Sequence, residues 1–144
     1  MRKINYIVVH CSATREGCTL TSEALEAEHR RRGFRTTGYH YYIRRDGTVL
    51  GTRSLELPGA HCRGHNKYSI GICYEGGLDA RGNPKDTRTP EQRSALHLLV
   101  YQLLQQFRNA RVCGHRDLSP DLDGDGTVEP WEWVKQCPCF EVSK

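Results

Sequence analysis

Three residues of metal-ligating type stand in distinctive surroundings far apart in the chain. His10 ends the apolar run Ile4-Asn5-Tyr6-Ile7-Val8-Val9, His115 follows Val112-Cys113-Gly114, and Cys137 lies in Lys135-Gln136-Cys137-Pro138-Cys139. Two imidazoles and a thiolate suit zinc. Three protein ligands leave a fourth position for water, which is how a hydrolytic rather than a structural site is built. A lone histidine is more often structural. His10 and His115, however, each follow a strand-like run, and strand ends in α/β sheets converge on the crevice where such folds place their sites. Cys137 and Cys139 also admit a redox pair or half of a structural zinc site. A structural site would need a second cysteine pair of similar spacing, and the sequence has none.

A second candidate set is Asp121, Asp123, Asp125, Thr127 and Glu132. In a twelve-residue calcium loop, carboxylates occupy positions 1, 3 and 5, glycine position 6, a backbone carbonyl position 7 and a bidentate glutamate position 12. Residues 121–132 match, with Gly126 at the turn and the Thr127 carbonyl available. Hard oxygen donors favour calcium. Pro120 and Pro130 argue against the flanking helices of a full EF-hand, so an acidic, turn-rich loop without an ion is the alternative reading.

The elements that must carry these residues alternate strand and helix. Residues 4–10 predict a strand covered on both sides, with Ile4, Tyr6 and Val8 on one face and Ile7 and Val9 on the other. Ser22 is placed to cap a helix over 23–32, stopped by Gly33. Asp46-Gly47 between two β-favouring runs predicts a hairpin in 39–50. Residues 51–67 read as an irregular loop and 68–74 as a buried strand. Thr89-Pro90-Glu91-Gln92 opens the strongest helix with a capping box, its apolar positions running through Phe107. A short strand over 111–113 delivers His115. The expected fold is α/β, a single domain over 1–144 with a mixed central sheet flanked by helices.

Composition narrows the functional classes. A chain of 144 residues with 37% hydrophobic and 26% charged content fits one globular domain with its own core. The net charge of +4 is a mild excess. Arg30, Arg31, Arg32 and Arg35 read either as a solvated helix C-terminus, where cations suit the dipole, or as a contact for an anionic polymer. Nothing resembles an aromatic-basic nucleic-acid surface, and no apolar run is long enough to span a membrane. Seven cysteines cannot all pair with one another, which favours synthesis in a reducing compartment. The N-terminus runs straight into a strand, so no secretory signal is expected.

Val9-His10-Cys11-Ser12-Ala13-Thr14, Gly38-Tyr39-His40, Arg45-Asp46-Gly47-Thr48-Val49, Ser69-Ile70-Gly71-Ile72 and Lys135-Gln136-Cys137-Pro138 resemble the phage-lysozyme-type N-acetylmuramoyl-L-alanine amidases. This is the type 2 zinc amidase group that includes the peptidoglycan recognition proteins. The resemblance runs from about residue 4 to 140 in the family's order. It implies an open groove holding zinc on His10, His115 and Cys137, with Tyr39 beside the metal-bound water and Lys135 as a catalytic lysine. It implies peptidoglycan as substrate, cleaved between N-acetylmuramic acid and L-alanine, and makes His61 and Asn66, in a histidine-containing loop, candidates for stem-peptide or glycan contacts. A solvated loop would explain those two residues as well. A monomer acting on the cell wall after release or export is expected. The link between His115 and Cys137 is longer than the family's usual one, and the calcium-loop stretch lies within it. Two other readings are a non-catalytic peptidoglycan-binding module, which typically lacks the cysteine ligand, and a cytoplasmic muropeptide-recycling amidase, which usually has aspartate there. A fourth, weaker reading rests on residues 121–132 alone: a calcium-responsive interaction protein.

Overall fold

The computed structural model describes residues 2–142, so Met1 and the last two residues of the expected 1–144 domain lie outside it. A five-stranded sheet forms the centre. In chain order its strands are β1 (Tyr6–Cys11), β3 (Tyr41–Ile43), β4 (Val49–Gly51), β5 (Ser69–Tyr74) and β7 (Arg111–Gly114), arranged β4-β3-β5-β1-β7. β1 runs parallel to both β5 and β7, β3 runs parallel to β5, and only the β3–β4 hairpin is antiparallel. The sheet is therefore mixed, as expected. Two short strands, β2 (Thr14–Arg15) and β6 (Gly77–Leu78), pair beside it.

The alternation along the central strands divides the sheet into two faces. Ile7, Val9, Ile43, Ile70, Ile72 and Tyr74 pack with Leu96, Leu99 and Leu103 of α2 (Pro90–Gln106). Each leucine so buried contributes about 1.5–3 kcal/mol over exposure. Tyr42 and Cys73 face the other way, against Leu25 of α1 (Ser22–Arg31). Ile4 joins Ile7 and Val9 rather than Tyr6 and Val8. The strand starts at Tyr6, so the two-residue alternation does not reach back to residue 4.

The helix ends follow their caps. The capping box at α2 is complete, with Gln92 N donating to Thr89 Oγ1 (3.1 Å) and Thr89 N donating to Gln92 Oε1 (3.0 Å). Gln92 also donates through Nε2 to the carbonyls of Ile43 (3.2 Å) and Glu75 (2.9 Å), tying the helix to the sheet. At α1 the cap is Thr21, not Ser22: its hydroxyl accepts from Ala24 N at 3.1 Å. Thr21 has the extended backbone an N-cap requires, and Ser22 is already helical. Gly33 follows with φ +96°, a conformation that stops the helix at low cost.

Candidate metal centre and groove

Two strand ends and one turn deliver the three candidate ligands. His10 is the fifth residue of β1, on the α1 side of the sheet, and is buried. His115 directly follows β7, the parallel neighbour of β1. Cys137 arrives from the chain's last segment, held where Arg116 N donates to the Cys137 carbonyl (2.9 Å) and the Tyr74 hydroxyl donates to the Pro138 carbonyl (2.6 Å). One ligand atom from each of His10, His115 and Cys137 lies within 4.8 Å of the other two.

The two imidazoles are in the state a metal needs. Burial, followed by the nearby His61, His115 and Lys135 charges, pushes His10 well below the usual imidazole range. Burial and Lys135 hold His115 at about 4. Both rings therefore stay neutral and free to ligate. Cys137 Sγ accepts a hydrogen bond from the Cys11 backbone N–H at 3.1 Å, which fixes the sulfur beside the two rings. Borderline nitrogen and soft sulfur donors, three in number, fit zinc and leave a position open.

Tyr39 lies just before β3 with its ring 5.0 Å from that of His10. Burial, then the neighbouring Cys73, raises its phenol well above the ordinary tyrosine value, so it stays protonated. Behind it is a residue that sequence reasoning missed. His29 of α1 is buried, has its ring 5.4 Å from that of Tyr39 at a 52° tilt, and accepts the Gly38 N–H on Nδ1 at 2.8 Å. A single histidine on a helix carries no signal of its own; only the packing reveals its place. Lys135 is exposed at the rim, on the lining of the pocket that holds His10, His115 and Cys137.

That pocket, about 260 Å³, continues into a groove of about 800 Å³. Arg32, Ala60, His61, His115 and Lys135 line both. The groove's far walls include Phe34, Arg63, His65 and Pro120, making it broad, open and rich in cationic side chains. His61 is buried, with its ring edge-on to that of His10 at 4.9 Å between centroids. Asn66 accepts the backbone N–H groups of His61 and Cys62 on Oδ1, both at 2.9 Å.

The long link between His115 and Cys137 is closed at its neck. Val134 N donates to Ser119 Oγ (3.0 Å), and the Arg116 guanidinium stacks 3.9 Å over the Trp133 ring. Beyond the neck, the carboxylates of Asp121, Asp123, Asp125, Glu129 and Glu132 bring oxygens within 4.8 Å of one another. Glu129 occupies position 9 of a calcium loop and was not among the residues singled out from sequence. Glu132 is buried, accepting from Leu122 N and Asp123 N on one oxygen and from Glu129 N on the other. Thr127 donates its N–H to Asp125. Crowding by Asp125 and Glu132 pushes the Glu129 carboxyl up. A 3₁₀ turn at Pro130–Glu132 closes the loop in place of a helix.

All seven cysteines are free thiols. No helix among the described residues is long and apolar enough to cross a membrane.

Comparison with known proteins bears on the family and the fold. The family described as N-acetylmuramoyl-L-alanine amidase matches residues 1–138. The endolysin of Klebsiella phage KP32 is 35% identical over 143 residues, covering 99% of this chain and 85% of its own. The endolysin of Escherichia phage T7 is 33% identical over 138 residues, covering 96% and 82%. Among solved structures, the N-acetylmuramoyl-L-alanine amidase LysC from Clostridium intestinale URNW superposes with a TM-score of 0.75 at 26% identity, over 97% of this chain and 79% of that one.

Proposed function

The chain belongs to the N-acetylmuramoyl-L-alanine amidase family and is an endolysin-like peptidoglycan amidase; from that premise we propose that a zinc ion held by His10, His115 and Cys137 serves the cleavage. The bond cut joins the lactyl group of N-acetylmuramic acid to the L-alanine of the stem peptide. The observation that carries the assignment is the meeting of these three donors at one end of the groove, His10 coming from a segment more than a hundred residues before the other two. When bound, zinc supplies a Lewis acid that acidifies water and polarises the amide carbonyl.

The chain's own residues divide the remaining work. Tyr39, kept protonated, orients the attacking water through its phenol and relays a proton. Lys135 brings an ammonium to the rim, where it stabilises negative charge developing on the carbonyl oxygen. Arg32 and Arg63 give the groove a field that draws in the carboxylates of a stem peptide. The cysteine ligand favours catalysis over a binding-only module, and its presence where a recycling amidase would have aspartate favours action on the wall. The protein acts there as a monomer, after release or export.

Purified protein should hold about one zinc per chain and lose it in Cys137→Ala. Digestion of purified cell walls should release L-alanine amino termini without reducing sugar. Zinc binding without amine release would sink the enzymatic assignment and leave a binding module.

We propose a second cation, calcium, for the 121–132 loop, with Asp121, Asp123, Asp125, Glu132 and the Thr127 carbonyl as ligands and Glu129 as the added position. It would stiffen the segment that carries Lys135 and Cys137. Added calcium should raise Tm in wild type and not in the Asp123→Ala, Asp125→Ala double variant. No shift in wild type would discard the proposal.

A further inference from the structure

Both ring nitrogens of His61 are engaged. Nδ1 lies 2.8 Å from His10 Nε2, and Nε2 lies 3.1 Å from Ser69 Oγ. The ring stands edge-on to His10 at 4.9 Å between centroids. The space it occupies exists only because two positions around it lack side chains. A Cβ on Gly71 would fall 2.6 Å from His61 Cγ and Cδ2, and a Cβ on Gly59 would also strike the ring. Asn66, by binding the N–H groups of His61 and Cys62, holds the backbone that presents the ring.

The direction of the hydrogen-bond chain follows from ligand chemistry. With Nε2 of His10 facing His61, Nδ1 is the nitrogen left for a metal. A ligating nitrogen carries no proton, so with a metal on Nδ1 the proton of His10 would sit on Nε2 and be donated to His61 Nδ1. His61 would then carry its own proton on Nε2, directed at Ser69 Oγ 3.1 Å away.

We infer that His61 is a positioning residue for His10: it fixes the tautomer and ring orientation of the metal ligand, and Ser69, Asn66, Gly59 and Gly71 form its seat. The inference rests on the zinc reading above and moves His61 from direct substrate contact to a place behind the metal ligand. Ligating histidines commonly use a carboxylate or carbonyl for this purpose. Here the acceptor is a second imidazole, which adds no negative charge to a site whose thiolate already supplies one. The ion thereby keeps more of its charge for the open position.

The experiment measures zinc affinity by chelator competition on the full chain, and KM on a soluble muropeptide at saturating zinc. His61→Ala should weaken zinc binding about 10–100-fold while leaving KM unchanged once zinc is saturating. His61→Asn, whose oxygen takes the place of Nδ1, should restore most of the affinity. An unaltered zinc affinity in His61→Ala, or a KM rise with zinc affinity intact, overturns the inference and returns His61 to substrate contact. Should His61→Ala not fold, the Asn and Gln variants decide. Asn offers an acceptor where Nδ1 sits and Gln does not, so His61→Asn must bind zinc more tightly than His61→Gln; equal or reversed affinities overturn the inference. Wild-type protein that takes up no zinc refutes the zinc reading itself, a separate outcome.

Discussion

Replacing Gly114 with alanine tests whether the contact between β7 and the Cys137-Pro138 turn sets the metal centre. The added methyl would sit 2.6 Å from Pro138 Cδ and 3.0 Å from Cγ, where unbonded carbons keep about 3.5–4.0 Å. About 1 Å of displacement is needed, and neither side gives way easily. Gly114 pairs with Val9 in the sheet, and its N–H donates to Asp117 Oδ2 at 2.7 Å. Pro138 is buried and tethered through its carbonyl to the Tyr74 hydroxyl. The backbone at Gly114 (φ −89°, ψ 162°) is open to any residue, so the effect is steric alone. Overpacking of this kind costs about 1–3 kcal/mol, a Tm lower by about 3–10 °C in a chain of this size. Gly114 adjoins His115 and Pro138 adjoins Cys137, so the same shift parts two ligands and should weaken zinc binding at least about tenfold, equivalent to 1.4 kcal/mol. Differential scanning calorimetry with and without zinc, together with chelator competition, reads both effects. Gly51→Ala, on β4 with nothing within 4 Å of the added carbon, is the control and should melt within about 1 °C of wild type. If Gly114→Ala melts and binds zinc like that control, the turn is not what spaces the ligands.

Tyr39→Phe and Lys135→Met should each retain zinc and lose about 10²–10³ in kcat; loss of zinc with either change would make it structural. Burial holds His61 at about 3 and His115 at about 4, against 6.5 in a free chain. The unfolded chain therefore binds more protons than the folded one below about 6.5, and metal-free protein should lose stability as pH falls from there towards about 4, with no effect above. Urea midpoints that match at about pH 7 and pH 5 would contradict this. Glu75 is buried and accepts from Arg44 Nε (2.9 Å), Arg45 N (2.9 Å) and Leu20 N (2.7 Å). Removing it in Glu75→Ala leaves those donors unmet and should cost about 2–3 kcal/mol in urea unfolding, lessened by the partial exposure of Arg44; a change under about 0.5 kcal/mol would refute that role.

Much of the fold was legible because local signals and tertiary demands coincide. The Thr89 capping box, the Asp46-Gly47 turn and the two-sided apolar strands each specify an element by themselves, and the structure keeps all of them. Where legibility failed, the deciding contact was long-range or the local options were nearly equal. Thr21 and Ser22 are both good caps, and only the backbone angle chooses between them. His29 and Ser69 carry no spacing signal, because each acts across an irregular loop whose path only the packing sets. Glu129 escaped notice because position 9 of a calcium loop often binds through water and constrains residue type weakly.

Residue types alone name the donors on offer. Two histidines and a cysteine after strand-like and turn-forming runs offer three donors of the type zinc takes, since donor type depends on side-chain identity alone. Tertiary structure decided the rest: β1 and β7 lie side by side, so His10 and His115 meet, and the Pro138 turn fits against Gly114, so Cys137 reaches them. It also decided that His61, whose loop position suggested a hand for substrate, faces inward to His10. A residue's chemistry is local, but what it touches depends on which distant backbone leaves it room.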